Sequence, residues 1–317
     1  MPKSQSSSHG TGEQPVVLTP EFLHTWLLPQ PEGEVDKETR GRVLAVGGAV
    51  PMPGAIILAG TAVLRAGAGK LQVGTCRSVA TAVGVAIPEC RVYSLPETRA
   101  GGINASAAEE LAQYANAARV ALIGPGMVDQ GAVERLMRRL LPRIEDPVLV
   151  LDAMAMEAAV QQPELLRRLE GRVIITPNEG EMAGILGIDK DEVTADPLRT
   201  ARRTARELGA VVALKGAETY IAAPDGEAYY FHSGNAGMAT SGSGDALAGV
   251  VAGLAARGAP PIQALAWGVY LHGTAGDRLA RRLGRLGFLI RELLAEIPPI
   301  MAEFDGEGGP ESSARTP

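Results

Sequence analysis

The feature that most limits how this 317-residue chain can fold is a series of short β-rich apolar runs, most of them closed by Gly, Asp, Asn or Pro. They are RVLAVGG (42–48), KLQVGT (70–75), VALIGPG (120–126), PVLVLDA (147–153), RVIITPN (172–178) and AVVALKG (210–216). Runs without polar alternation predict parallel strands covered by helices on both faces. Helical patterns fill the gaps, most clearly at 54–67, 107–117, 131–144 and 196–209. The last of these starts with Asp196 as N-cap and Pro197 at the first helical position, and it stops at Gly209. Strand–helix alternation of this kind predicts a three-layer α/β/α fold around a mainly parallel sheet.

Further along, LKGAETYIAAPDGEAYY (214–230) predicts a strand, a turn and a hairpin with its tip at Asp225–Gly226. Beyond Tyr230 the pattern turns helical, at 244–257, 260–282 and 287–297. No repeat of solenoid period is present. Residues 1–15 and 305–317, rich in Ser, Gly, Glu and Pro, are expected to be disordered tails around a single domain at 16–304.

The formal net charge of −6 argues against a broad basic face for nucleic acid, and a 4% aromatic share argues against base-stacking platforms. Cys76 and Cys90 form no CxxC pair, so neither a disulfide framework nor a thiolate metal site is expected, which fits a reducing cytoplasm. The polar start MPKSQSSSHGTGEQ lacks the apolar core of a signal peptide, and ALAGVVAGLAA is too short to span a bilayer. These readings point to a soluble cytoplasmic protein with no membrane partner.

Ligands in open parallel sheets bind at the carboxyl ends of the strands. Those ends carry Gly47-Gly48, Gly124-Pro125-Gly126, Asp152, Thr176-Pro177-Asn178 with Glu181, and Lys215-Gly216. The strongest single stretch is NAGMATSGSGDALAGVVAGL (235–254). Glycines ahead of a helix let backbone N–H groups approach an anion, and the helix terminus adds positive partial charge. Asp245, just after Gly242-Ser243-Gly244, can cap that helix or take a proton from a hydroxyl beside bound phosphate. The residues alone leave both open.

Asn178 and Glu181 have the spacing of a capping box, and equally of a water-mediated Mg²⁺ site. Lys215 and Thr219 could contact a nucleotide, against the plainer reading of a solvated lysine. His272 reads as a packing histidine on a helix of small residues. Two apparent phosphate motifs fail. RAGAGKL (65–71) has Leu64 where a P-loop needs its first Gly and Leu71 where it needs Ser or Thr, and GGAVPMPG lacks GxGxxG spacing.

Taken in order, GRVLAVGGAVPMPGAIILAGTAVLRAGAGKLQV, IGPGM, VLDA, ITPNEGEM, LKGAET, GNAGMATSGSGDALAGVVAGL and LHGTAGD resemble the ADP/ATP-dependent NAD(P)H-hydrate dehydratases of the ribokinase-like superfamily. The resemblance runs from about residue 35 to 297 and leaves no room for the epimerase domain often fused to such proteins. It implies a ribokinase-like fold and repair of NADH or NADPH hydrated at C6. The hydroxyl is phosphorylated from ADP or ATP with Mg²⁺, and phosphate is then lost. Carried over by motif, Ala55, Gly126, Asn178 and Asp245 would touch the hydrate. Lys215, Gly216, Ala217, Glu218, Thr219, Gly242, Ser243 and Gly244 would hold the nucleotide, Asp245 would act as base, and the assembly would be a homotetramer.

Four positions depart from the family pattern. Met154 replaces an acid two residues after the aspartate of LDA, Asn178-Glu179 replaces a frequent His-Pro, Ala49 replaces Ser, and Ser241 replaces Gly. Met154 bears on metal placement or substrate fit. The competing readings are a ribokinase-like kinase of a vitamin precursor or sugar, and a nucleotide-binding protein without catalysis. The GNAGMATSGSGD block and PMPGAIILAG resemble the dehydratases and not the sugar kinases.

Overall fold

The computed structural model describes residues 14–30, 40–232 and 235–305. The expected tails at 1–15 and 305–317 lie almost wholly outside the described residues. Strands β1 (Val16–Val17), β2 (Arg42–Val46), β3 (Lys70–Cys76), β4 (Cys90–Leu95) and β5 (Val120–Ile123) come first. After them come β6 (Val148–Leu151), β7 (Val173–Ile175), β8 (Val211–Leu214), β9 (Glu218–Ala222) and β10 (Ala228–His232). They form one sheet in the order β1-β10-β9-β8-β7-β6-β5-β2-β3-β4. Only β9 runs antiparallel to its neighbours, as the expected hairpin requires.

The helices of the first half are α1 (Pro20–His24), α2 (Pro53–Arg65), α3 (Arg77–Ala86), α4 (Ala108–Asn116), α5 (Gln130–Leu140) and α6 (Ala153–Ala159). Those of the second half are α7 (Pro163–Arg167), α8 (Glu179–Leu186), α9 (Lys190–Ala195), α10 (Pro197–Leu208), α11 (Ser243–Ala256), α12 (Pro261–Leu283) and α13 (Ile290–Ala302). The central strands divide their side chains between two buried cores. Val43 and Ala45 of β2 join the core under α2, α11, α12 and α13. Leu44 and Val46 join the one under α4, α5, α6 and α10. That two-sided burial is why these runs carry no polar alternation.

All six expected strands form, and Asp196 caps α10 by accepting from the Arg199 N–H at 3.0 Å. The strands that were not expected, β1 and β4, lie at the two edges of the sheet. Edge strands are half-covered, so CRVYSL keeps polar residues and does not stand out as an apolar run.

From β2 the chain proceeds to β3 and β4 on one side, and from β5 to β8 on the other. The order therefore reverses between β2 and β5, where an open sheet leaves a crevice for ligand. Two glycine loops are stitched together there, Gly48 N–H to Pro125 O at 2.8 Å and Ala49 N–H to Gly126 O at 3.0 Å. Helix α11 reaches the same end of the sheet by lying directly on α2. A Cβ on Gly249 would stand 2.3 Å from Ala59 O, and one on Gly253 2.5 Å from Val63 O. The small-residue run after Asp245 is thus a close helix–helix contact that fixes where the α11 N-terminus points.

Candidate active site

Among the helices that begin at this end of the sheet, α8 and α11 each carry a carboxylate at the third position. In α8, Asn178 is the N-cap, and its Oδ1 accepts from the Glu181 N–H at 2.9 Å. Glu181 Oε2 in turn accepts from the Asn178 N–H at 2.7 Å. The capping box expected as one reading of this pair is formed, and the helix start is satisfied from within.

In α11 the N-cap is Gly242, at φ +90°, and no side chain caps the helix. Ser243, Gly244 and Asp245 fill its first three positions; the Ser243 N–H donates to Thr240 O at 3.3 Å, which leaves those of Gly244 and Asp245 to face the site. Among the described residues the Asp245 carboxyl accepts no hydrogen bond. The capping role left open by the sequence is not the one the side chain takes. Burial in a half-closed site and the neighbouring Asp152 carboxylate raise the Asp245 pKa to about 6, and Lys215 opposes the rise.

Asp152 ends β6 and is only 4% exposed. Thr176 Oγ1 stands 3.5 Å from its Oδ1, a long contact, and burial pushes its pKa up. The next residue, Ala153, has φ +47°, an unusual left-handed conformation for a residue with a side chain. A Cβ on Gly124 would lie 2.0 Å from Asp152 O, so the GPG loop needs glycine there to let the β5 and β6 ends meet. Sequence reasoning marked Asp152 as a strand end and gave it no role; its signal was a lone acid closing an apolar run.

Lys215 joins these parts. Its N–H donates to Pro177 O at 2.8 Å, holding the β8 end beside the β7 end. Its side chain is 22% exposed, with Nζ 4.0 Å from Glu181 Oε2. A Cβ on Gly244 would lie 3.6 Å from the same Nζ, which puts the ammonium over the first turn of α11. It is not the solvated surface lysine of the plainer reading. A cation and a helix N-terminus facing one space make an anion site.

That space is a cavity of about 810 Å³. Of the residues assigned to the nucleotide, Lys215, Gly216, Ala217, Thr219, Ser243 and Gly244 line it, together with Asn178. Glu218 does not, because its carboxylate accepts from the Tyr220 and Tyr230 hydroxyls at 3.0 and 2.6 Å. Gly242 is absent from the wall as well and serves as the left-handed turn that aims the next residues. Among the residues given no role that line the wall are two polar side chains with unusual surroundings, Asn235 and His272. Asn235 donates to Asp277 at 2.9 Å while its own Oδ1 is buried without a partner. His272 Nε2 lies 3.3 Å from Ser243 Oγ, and burial together with Lys215 lowers its pKa to about 4. It is part-buried and hydrogen-bonded, as the packing reading expects, and it also borders the cavity.

The remaining residues meet at the switch point. A Cβ on Gly126 would stand 2.6 Å from Ala55 Cβ and 2.7 Å from Met52 O, so the first turn of α2 and the GPG loop touch. Both walls are small where β2 and β5 end. Among the described residues, no group of three or more His, Cys, Asp and Glu side chains is gathered to hold a metal ion. Glu181 spends Oε2 on the cap and keeps Oε1 free. That donor set cannot cage an ion, but it suits a hydrated Mg²⁺ arriving on phosphates.

The match to known proteins covers most of the chain. The family model described as NAD(P)H-hydrate dehydratase matches residues 43–299. The ADP-dependent (S)-NAD(P)H-hydrate dehydratase of Xanthomonas campestris is 43% identical over 92% of this chain and 98% of that one. Other relatives are bifunctional NAD(P)H-hydrate repair enzymes, and the chain spans about half of their length. A ribokinase-like superfamily protein from Enterococcus faecalis superposes with TM-score 0.79 at 27% identity, covering 91% of this chain and 96% of that one. The Bacillus subtilis ADP/ATP-dependent NAD(P)H-hydrate dehydratase, co-crystallised with ATP and Mg²⁺, gives 0.74 at 27% identity, covering 92% of this chain and all of that one.

Proposed function

The chain belongs to the NAD(P)H-hydrate dehydratase family, and from that premise we propose that its site dehydrates hydrated NADH or NADPH at the expense of ADP or ATP. The observation that carries the reading is Asp245, an unpaired, half-buried carboxyl at the open start of α11, with a pKa near 6. A group poised there takes a proton readily at neutral pH. Lys215, Gly216, Ala217, Thr219, Ser243 and Gly244 hold the nucleotide, with Glu218 and Gly242 supporting the turns on either side. Ala55, Gly126 and Asn178 place the hydrate against Asp245.

Asp245 accepts the proton of the C6 hydroxyl while that oxygen bonds to the terminal phosphorus of the nucleotide. The bond to the bridging oxygen breaks, and AMP leaves from ADP, or ADP from ATP. The α11 N–H groups and Lys215 carry the charge on the transferring phosphoryl oxygens. The C6–O bond then breaks with its electrons on phosphate, driven by the ring nitrogen's lone pair. Loss of a C5 proton restores the dihydronicotinamide. Mg²⁺, held through water by Glu181 and Asn178, would neutralise phosphate charge.

The wider setting forms part of the same reading. One domain over 16–304 is the reading, supported by a single sheet that takes strands from Val16 to His232. Assembly as a homotetramer is carried over from the family resemblance, and a cytoplasmic setting without nucleic acid is in keeping with the acidic balance and unpaired cysteines. No helix among the described residues is long and apolar enough to cross a membrane. The test is to mix the protein with hydrated NADH, Mg²⁺ and either ADP or ATP and to follow absorbance of the dihydronicotinamide. Recovery with one nucleotide is expected; a folded sample that restores nothing with either overturns the reading.

A further inference from the structure

The first turn of α8 divides the site in two. Asn178 faces the nucleotide cavity, while Gly180 and Glu181 face a second cavity of about 730 Å³. Helix α5 supplies Glu134 and Arg138 to the second cavity, and α6 supplies Met154 and Glu157. Helix α5 begins four residues after Gly126, and Met154 is two residues beyond Asp152. Gln130, Met154 and Gly180 line the space from the first turns of α5, α6 and α8, which follow β5, β6 and β7, so it adjoins those strand ends. The far wall is open at Gly184, where a Cβ would meet nothing within 4 Å.

A cavity of about 300–1,000 Å³ holds one ligand of nucleotide size. A dinucleotide whose nicotinamide lies at Gly126 and Asp245 cannot also place its other half where ADP sits. We propose that the second cavity receives the adenosine end of the hydrated dinucleotide and selects the hydrate of NADH over that of NADPH. The inference rests on the dehydratase reading above. Its wall carries three carboxylates, Glu134, Glu157 and Glu181, and one guanidinium, Arg138. Carboxylates suit free ribose hydroxyls and repel a 2′-phosphate, for which dinucleotide sites normally supply an arginine. Arg138 is matched instead by the diphosphate, which it can grip with two parallel hydrogen bonds. Met154, in place of the family's usual acid, gives a flexible apolar surface for the adenine ring.

Steady-state kinetics with each hydrate, at saturating ADP and Mg²⁺, test this. Wild type should show kcat/KM for the NADH hydrate about tenfold or more above that for the NADPH hydrate. Gly184→Trp, at an exposed position with open space around it, should raise KM for the hydrate about tenfold and leave KM for ADP unchanged. The pair Glu134→Lys with Glu157→Lys should move the preference toward the NADPH hydrate, and Arg138→Ala should weaken both hydrates alike. Normal turnover with an unchanged hydrate KM in Gly184→Trp overturns the cavity assignment. Equal or reversed preference in wild type overturns the selectivity. A folded wild type that turns over neither hydrate overturns the parent reading instead.

Discussion

Helices α8 and α11 start at the same end of the sheet, each with an acid at its third position, and they use that acid in opposite ways. Glu181 closes a reciprocal capping box with Asn178 and so satisfies its helix. Asp245 satisfies nothing, and the helix it opens has a glycine for a cap. The first arrangement stabilises the fold, whereas the second leaves N–H groups and a carboxyl free to meet a substrate. Local stability is given up at the place where chemistry is done.

Substitution of the two acids separates these jobs. Asp245→Ala should lower turnover by about 10³-fold, within the range for loss of a general base, with ADP binding kept. Absorbance recovery and calorimetric ADP titration check the two halves. Glu181→Gln should retain measurable activity, and a loss as deep as that of Asp245→Ala would erase the distinction between the helices.

The next effect concerns what aims α11. Gly249→Ala should destabilise the protein by about 2–3 kcal/mol, because its Cβ would stand 2.3 Å from Ala59 O. The helix propensity gained by alanine, about 1 kcal/mol, is smaller than that clash. A denaturant midpoint that rises would show that α2 and α11 do not need their close contact.

Smaller stability changes should have opposite signs at the two helix starts. Asn178→Ala removes a cap and should cost about 1 kcal/mol. Asp245 has a folded pKa of about 6, above its unfolded value, so the folded state holds the extra proton. Its charged form is disfavoured on folding, and stability falls as pH rises from about 4 to about 6. Asp245→Asn should therefore stabilise the protein by about 1–2 kcal/mol at pH 7 and by nearly nothing at pH 4. Urea denaturation at the two pH values measures both variants, and a destabilised Asp245→Asn at pH 7 would end the trade-off argument.

The legibility of these features followed from how local their causes are. Six strands stood out in the sequence because burial on both faces removes polar residues, while β4 and β1 did not because they are half-covered edges. The α8 cap and the α11 glycines were visible because each sits within a few consecutive residues. The roles of Asp152 and His272 were not. Asp152 acts on Asp245 from a strand end 93 positions away, and His272 meets Ser243 across two helices. Both depend on tertiary neighbours, which spacing along the chain does not record. Lys215 lay between these cases, visible as a strand end but identifiable as a phosphate cation only once Gly244 was placed beneath it.

The subtlest difference between the helices is electrostatic, and it isolates Asp152. The acid limb of kcat/KM should fall near pH 6, where free Asp245 becomes protonated. Asp152 stands beside it as a buried carboxyl and helps hold that pKa up. Asp152→Asn keeps the shape and removes the charge, so Lys215 is then opposed by one carboxylate fewer. The limb should move to lower pH by a fraction of a unit to about one unit, while the limiting rate changes less than in Asp245→Ala. A merely structural role for Asp152 would lower the rate at every pH and leave the limb in place, and the pH profile of the two proteins distinguishes these outcomes. Glu181→Gln serves as the control: its carboxylate stands 4.0 Å from the Lys215 ammonium and raises the pKa of Asp152, whereas that of Asp245 is set by burial, Asp152 and Lys215. Its limb should stay near pH 6, so that a shift as large as that of Asp152→Asn would make the pair of helix-start acids one coupled cluster instead of two separate devices.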